Sequence, residues 1–264
     1  MSDHNASPMQ SALPFADRVR IVATDQPFRW LAAGWQDFRA APGVSLAYGM
    51  VVVIAGFVLS FLLVGLGLLY LVLPLIVGFM LVGPALTVGY YQVSQDLELG
   101  RQPSLATALG AWKANPGPLL AFGLVLVFFL VLWMRFAALV FAIFFPHTPL
   151  TVQSLLNAAL FTEDGLIFLM VGTAVGAVMA SIAFAAGAFS LPLLLDRRVG
   201  VMEALVTSVV AVVLNAPAML VWAMLVVLFA AAGLALGYVG LAVTLPLLGY
   251  ATQHAYRAVI RSGR

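Results

Sequence analysis

The chain has 264 residues, of which 64% are hydrophobic and 8% charged, with a formal net charge of +2 and a mean hydropathy of +1.10. An ordinary soluble domain carries about 25% charged residues, and a chain this apolar cannot keep its hydrophobic surface out of water, which excludes a water-soluble globule. So small a basic balance, with no basic cluster, speaks against a nucleic-acid partner. With no cysteine, disulfides, thiol chemistry and cysteine-ligated metals are also excluded.

Residues 1–26 are polar, with Pro8, Pro14 and several Ser, Asn and Asp, and are expected to form a mobile tail. They lack the apolar core of a signal peptide. Pro27 is suited to start a helix in which Phe28, Leu31, Trp35 and Phe38 share one face while Arg29, Gln36, Asp37 and Arg39 stay wet. Such a helix lies along the membrane interface.

The charges then stop. No Asp, Glu, Lys or Arg occurs between Arg39 and Asp96, nor between Glu203 and Arg257, and each gap holds two spans of about 20 residues. Six spans are expected: Ala47 to Val64, Leu68 to Tyr90, Pro118 to Val140 with an extension towards Phe145, Leu166 to Leu191, Met219 to Gly237, and Tyr238 to Ala258. The fold class is an all-α polytopic membrane protein, and residues 27–260 form a single membrane domain.

Six spans put both termini on one side. That side holds eleven of the twelve basic residues: Arg18, Arg20, Arg29, Arg39, Arg101, Lys113, Arg197, Arg198, Arg257, Arg261 and Arg264. Positive charge accumulates on cytoplasmic loops, so both termini are expected in the cytoplasm. The loop around Phe145 to Gly165, on the other side, carries Glu163 and Asp164.

A threefold internal repeat organises the chain, with units of about 27–100, 101–199 and 200–260. Each unit begins with a short segment that ends in a proline break: Pro42 after Arg39-Ala40-Ala41, Pro116 after Asn115, and Pro217 after Asn215-Ala216. The second span of each unit carries another proline, at Pro84, Pro192 and Pro246, and two of these are followed by Gly-Tyr, at Gly89-Tyr90 and Gly249-Tyr250. All three units start and end inside, which makes three parallel hairpins rather than an inverted repeat. Ser104 is placed to cap the second short helix, which presents Leu105, Leu109 and Trp112. The third, from Met202 to Leu214, is more apolar and suits either an interfacial or a re-entrant position.

Arg135 is the main polar anomaly. A charge within a span faces protein, water or an anionic partner, or snorkels to the headgroups from its place near the outer end. It is the candidate polar or ligand site. Pro84, Pro192 and Pro246 read as structural bends, and Asn115 and Asn215 as caps and turn residues. Gly172 and Gly176 allow close helix packing, with Gly233 and Gly237 as a second pair. Asp96, Glu98, Asp196 and Glu203 suit a solvated interface and local pairing with Arg101, Arg197 or Arg198. His4, His147 and His254 lie at different depths and form no ligand set, so no metal, haem or other cofactor is expected. Thr173, Ser181, Ser190 and Thr244 are hydroxyls without a paired base, and no catalytic residue is assigned.

The segments Ala32 to Phe38, Ala41-Pro42-Gly43-Val44-Ser45-Leu46-Ala47-Tyr48-Gly49, Ala111-Trp112-Lys113-Ala114-Asn115-Pro116-Gly117 and Ser190-Leu191-Pro192 resemble the bacterial inner-membrane family catalogued as domain of unknown function 2189. The resemblance spans Arg20 to Val259 and implies the inner membrane of a Gram-negative bacterium, with no catalytic residues to carry over. Some members have names suggesting an oxidase subunit, but the intramembrane histidines of haem and copper ligation are absent. The functional expectation is a non-enzymatic accessory or assembly component that contacts membrane lipids and a membrane-protein partner or further copies of itself. Solute or lipid transport is the alternative, and intramembrane catalysis comes third.

Overall fold

The computed structural model describes residues 13–149 and 151–261. The chain is all-α, and five of its described helical segments are long and apolar enough to cross a membrane: Pro42–Gly65, Pro74–Glu98, Pro116–Phe144, Glu163–Asp196 and Ala216–Ala235. Helix α1 (Gln26–Ala40) is followed by α2 (Pro42–Gly65), α3 (Val72–Leu86) and α4 (Val88–Glu98). Next come the short α5 (Leu105–Gly110), then α6 (Pro116–Phe144), α7 (Val152–Phe161), α8 (Glu163–Gly187) and α9 (Ser190–Asp196). The last three are α10 (Val201–Leu214), α11 (Ala216–Ala235) and α12 (Leu241–Val259).

The six prolines expected as breaks occupy different positions in their helices. Pro42, Pro116 and Pro217 lie in the first turns of α2, α6 and α11, where the missing N–H removes no helical hydrogen bond. Pro84 lies inside α3, and the arm breaks at Thr87 before resuming as α4. The Thr87 hydroxyl donates to the Pro84 carbonyl (2.8 Å) and shares a 2.6 Å hydrogen bond with the Tyr91 hydroxyl. Pro192 lies in α9, after the break between α8 and α9. There Ser208 of α10 accepts from the Phe189 N–H (3.1 Å) and donates to the Ala185 carbonyl (2.8 Å), satisfying backbone groups that water cannot reach in a bilayer. Pro246 lies inside α12, which continues through it.

The sixth expected span is not among the apolar segments. Residues 241–259 do form one helix, but Thr252, Gln253, His254 and Arg257 occupy its second half. It is the most enclosed of the long helices, packed against α1, α2, α4 and α11, so protein rather than lipid surrounds its polar groups. Its C-terminal end returns to the start of the described chain, where Val19 and Ile260 form an antiparallel bridge.

Of the expected N-terminal tail, residues 1–26, the first twelve lie outside the described residues, as does Arg264. From Ala16 onward the segment packs: Ala16 and Val19 are buried, the Val22 N–H donates to the Asn215 side chain (2.8 Å), and Arg18 pairs with Glu203.

Helix α1 turns a different face inward from the one its periodicity suggested. Trp30, Gly34 and Phe38 are buried, whereas Phe28 and Trp35 are exposed. Gly34 decides the rotation: a Cβ there would lie 2.8 Å from the Ala251 nitrogen and 2.9 Å from the Leu247 oxygen of α12. Backbones that close admit only glycine. The fourth-span pair behaves unequally, since a Cβ at Gly176 would meet the Trp133 ring at 3.2 Å while nothing lies within 4 Å of one at Gly172. Trp133 also donates its indole N–H to the Pro74 carbonyl (2.9 Å), which joins α6 to the start of α3.

Candidate functional site at the basic end of the bundle

The end of the bundle that carries the described arginines of the termini also holds its densest polar network. At its centre, Asp37 of α1 accepts a hydrogen bond from the Ser94 hydroxyl of α4 (2.6 Å), and His254 Nε2 of α12 lies 2.9 Å from the same carboxylate oxygen. Ser94 follows Tyr90 by four residues, and His254 follows Tyr250 by four. The two Gly-Tyr elements therefore deliver equivalent helix positions to one acceptor.

The tyrosines converge in the same way on Ser45, at the start of α2. Tyr250 shares a 2.6 Å hydrogen bond with the Ser45 hydroxyl, which donates onward to the Ala41 carbonyl (2.7 Å), and the Tyr90 hydroxyl points at the Ser45 carbonyl (3.4 Å). Tyr48 stands edge-on to Tyr90, with centroids 4.8 Å apart. Ser45, Ser94, Tyr90 and Tyr250 are all excluded from solvent, and in that low-dielectric setting each hydrogen bond is stronger and each broken one costlier.

A second network ties the C-terminal ends of α4, α9 and α12 together. Arg257 of α12 donates to Asp196 of α9 (2.9 Å) and to Glu98 of α4 (3.2 Å), while the Tyr256 hydroxyl donates to Asp196 (2.7 Å). The expected local pairs of Asp96 with Arg101 and Asp196 with Arg197 exist as loose contacts, at 4.0 and 3.7 Å. Glu98 and Glu203 instead reach Arg257 and Arg18, partners more than 150 residues away that no local pattern reveals.

Asn115 and Asn215 occupy the N-cap positions of α6 and α11, but neither side chain makes a capping bond. The Asn115 amide faces the Leu194 carbonyl (3.1 Å) and those of Arg197 and Val199 (both 3.4 Å). The Asn215 amide faces the carbonyls of Arg20 (3.1 Å) and Ala211 (3.0 Å). Each asparagine holds a neighbouring strand of chain rather than its own helix. Ser104 does cap, in a reciprocal box with Thr107.

The remaining candidates are dispersed. Arg135 is exposed on α6 and, among the described residues, makes no hydrogen bond or ion pair. Glu163 and Asp164 sit in the first turn of α8, where the helix dipole favours negative charge. His147 lies in the turn after α6, far in sequence from the site, and His4 is outside the described residues. Ser181 donates to a carbonyl of its own helix, and Ser190, the first residue of α9, donates back to the Ala186 carbonyl of α8; the Thr244 hydroxyl and both ends of the fully buried Gln253 amide have no hydrogen-bond partner among the described residues.

The chemistry follows from the direction of these bonds. Ser94 donates to a carboxylate, not to an imidazole, so His254 does not take its proton as a base activating a nucleophile must. Asp37 gathers helices. Among the described residues, no group of three or more His, Cys, Asp or Glu side chains could hold a metal ion.

Comparison with known proteins finds a likeness to one family over part of the chain. Residues 72–196 match the family described as Predicted integral membrane protein (DUF2189). The match runs from α3 through α9, so within it fall Pro84, Tyr90, Asp96, Asn115, Arg135 and Pro192. The segments 32–38 and 41–49, which also carry the resemblance, lie outside it, as does all of α12. No curated protein and no solved structure matches the chain. The DUF2189 match and the five long apolar helices together make this an integral, multi-pass membrane protein in contact with lipid.

Proposed function

We propose that the protein is a non-enzymatic component of a bacterial inner membrane, acting through lipid and helix contacts as an accessory or assembly protein. In this reading α12 is a sixth crossing, the three units are parallel repeats, both termini are cytoplasmic, and the protein pairs with another membrane protein or with its own copies. Helix α12 supports the sixth crossing by running back from the far turn at Gly240 to Val19.

The observation that carries the reading is the direction of Arg135. Leu119, Phe122, Leu126 and Trp133 turn the buried face of α6 to the bundle, while Leu124, Phe128, Val131 and Leu139 are exposed and Arg135 lies among them at helical spacing. A guanidinium on the lipid-facing side needs an anionic headgroup or a partner from outside this chain. Native mass spectrometry after gentle extraction tests this, with wild type compared to Arg135→Leu. Loss of a bound lipid or protein with folding retained supports the reading, and an unchanged set of co-purifying species counts against it.

Transport of a small solute or lipid is a second reading, supported by Gln253. Its amide, fully buried and without a hydrogen-bond partner among the described residues, lies one helical turn before Arg257 on α12. Solute flux in vesicles that is lost on Gln253→Leu would favour it over the first.

A further inference from the structure

A cleft of about 370 Å³ opens at the basic end between α4 and α5. Gln92 and Asp96 line it from α4 and Arg101 from the following loop, while Gly110 and Ala111, at the end of α5, leave room. Its size falls in the range of small-molecule sites.

Asp96 is the unusual member. Its side chain is only 6% exposed, yet its nearest cation, Arg101, stands 4.0 Å away and is 67% exposed. The other side-chain contact is the Gln92 amide, which donates to the carboxylate at 3.1 Å. A carboxylate withdrawn from water calls for close, charge-assisted partners, and a solvent-swung guanidinium at that distance supplies little. The cleft thus offers a buried anion and an exposed cation on one lining.

We propose that this cleft binds a primary ammonium joined to a phosphate, the ammonium against Asp96 and the phosphate against Arg101. A primary ammonium carries three N–H donors on a compact head. It suits the Asp96 carboxylate and the free acceptor oxygen of Gln92, whereas a quaternary ammonium has no donor to offer either. Arginine presents a fork of donors that matches phosphate oxygens. This phosphoethanolamine chemistry has two sources: the headgroup of phosphatidylethanolamine and a soluble phosphoethanolamine. Exposed Leu109 on α5 and half-buried Trp112 beside it place an apolar and an aromatic surface next to the cleft, as at a membrane interface. The inference rests on the lipid-contact reading and names its headgroup.

The test uses the purified full chain in detergent, offered short-chain phosphatidylethanolamine, chain-matched phosphatidylcholine, or soluble O-phosphoethanolamine. Native mass spectrometry and thermal unfolding are the readouts. Phosphatidylethanolamine should be retained at least about tenfold better than phosphatidylcholine, the equivalent of one strong charge-assisted contact. That preference should disappear in Asp96→Asn, whereas Arg101→Gln, which loses the phosphate contact, should weaken retention of phosphatidylethanolamine itself. Binding of O-phosphoethanolamine that depends on the same two residues assigns the site to a soluble ligand. Selective binding of the lipid alone assigns it to the headgroup. Equal retention of both lipids by wild type, or a preference that survives both substitutions, overturns the proposal, while co-purification of lipid without headgroup preference leaves the broader lipid-contact reading standing. Should Asp96→Asn fail to fold, Arg101→Gln, altered at an exposed position, decides the matter: retention of phosphatidylethanolamine undiminished by that change overturns the proposal.

Discussion

Tyr90 and Tyr250 meet edge to face, with ring centroids 5.4 Å apart and planes at 80°, although 160 residues separate them. Each follows a glycine that admits the neighbouring ring: a Cβ at Gly249 would sit 2.7 Å from Tyr90 Cβ, and one at Gly89 would sit 2.7 Å from the Tyr48 ring. The two Gly-Tyr elements thus pack against each other, and Asp37 joins their helices one turn further along.

That arrangement makes Asp37 the most consequential polar residue of the hub. Asp37→Ala removes the shared acceptor of Ser94 and His254 and should lower stability by about 2–4 kcal/mol, given ~1.5–3 kcal/mol for a hydrogen bond to a charged group. Thermal unfolding in detergent measures it. Ser94→Ala and His254→Ala should couple non-additively; strictly additive losses would mean that the two helices do not share the site.

Gly34 and Gly172 should respond in opposite ways to the same change. Gly34→Ala forces α1 off α12 and should cost about 1–3 kcal/mol through overpacking. Gly172→Ala meets open space and should lie within about 0.5 kcal/mol of wild type. Comparable unfolding midpoints for the two variants would contradict the close crossing of α1 and α12.

The two asparagines should fail locally. Asn115→Ala leaves carbonyls at 194–199 without their donor, and Asn215→Ala releases residues 20–22, each at about 1–3 kcal/mol for groups left unsatisfied. Hydrogen exchange should rise in the segment each one holds, near Val199 in the first variant and Val22 in the second. A rise confined to the first turn of α6 or α11 would indicate ordinary capping instead.

Topology is open to direct test because the chain has no cysteine. Single changes His147→Cys and Val239→Cys should react with an impermeant thiol reagent from the periplasmic side, and Gln102→Cys only after the membrane is opened. Labelling of Val239→Cys together with Gln102→Cys, but not with His147→Cys, would remove the proposed orientation of α11 and α12.

The membrane character of this protein was legible in its composition, because a lipid-facing helix must be apolar along its length and nothing else in a chain demands that. The proline breaks were legible too, since Pro42, Pro116 and Pro217 act on their own helices through local sterics. Helix α12 was read by length and spacing, but its polar second half sits within protein, an environment that periodicity does not report. The same limit hid the inward face of α1: Phe28 and Trp30 are both aromatic, and only the backbone contact at Gly34 selects between them. Asp37 looked like a wet charge beside Arg39, and the spacing of Ser94 and His254 after their tyrosines was the one signal that could have singled it out. Amino-acid pattern determined which segments are helices and where they break, through interactions within a few residues. Which helices touch, and hence which polar groups meet at Asp37, Asp196 and Asp96, was decided by packing between segments up to about 200 residues apart, where the energy belongs to pairs of surfaces rather than to any stretch of sequence.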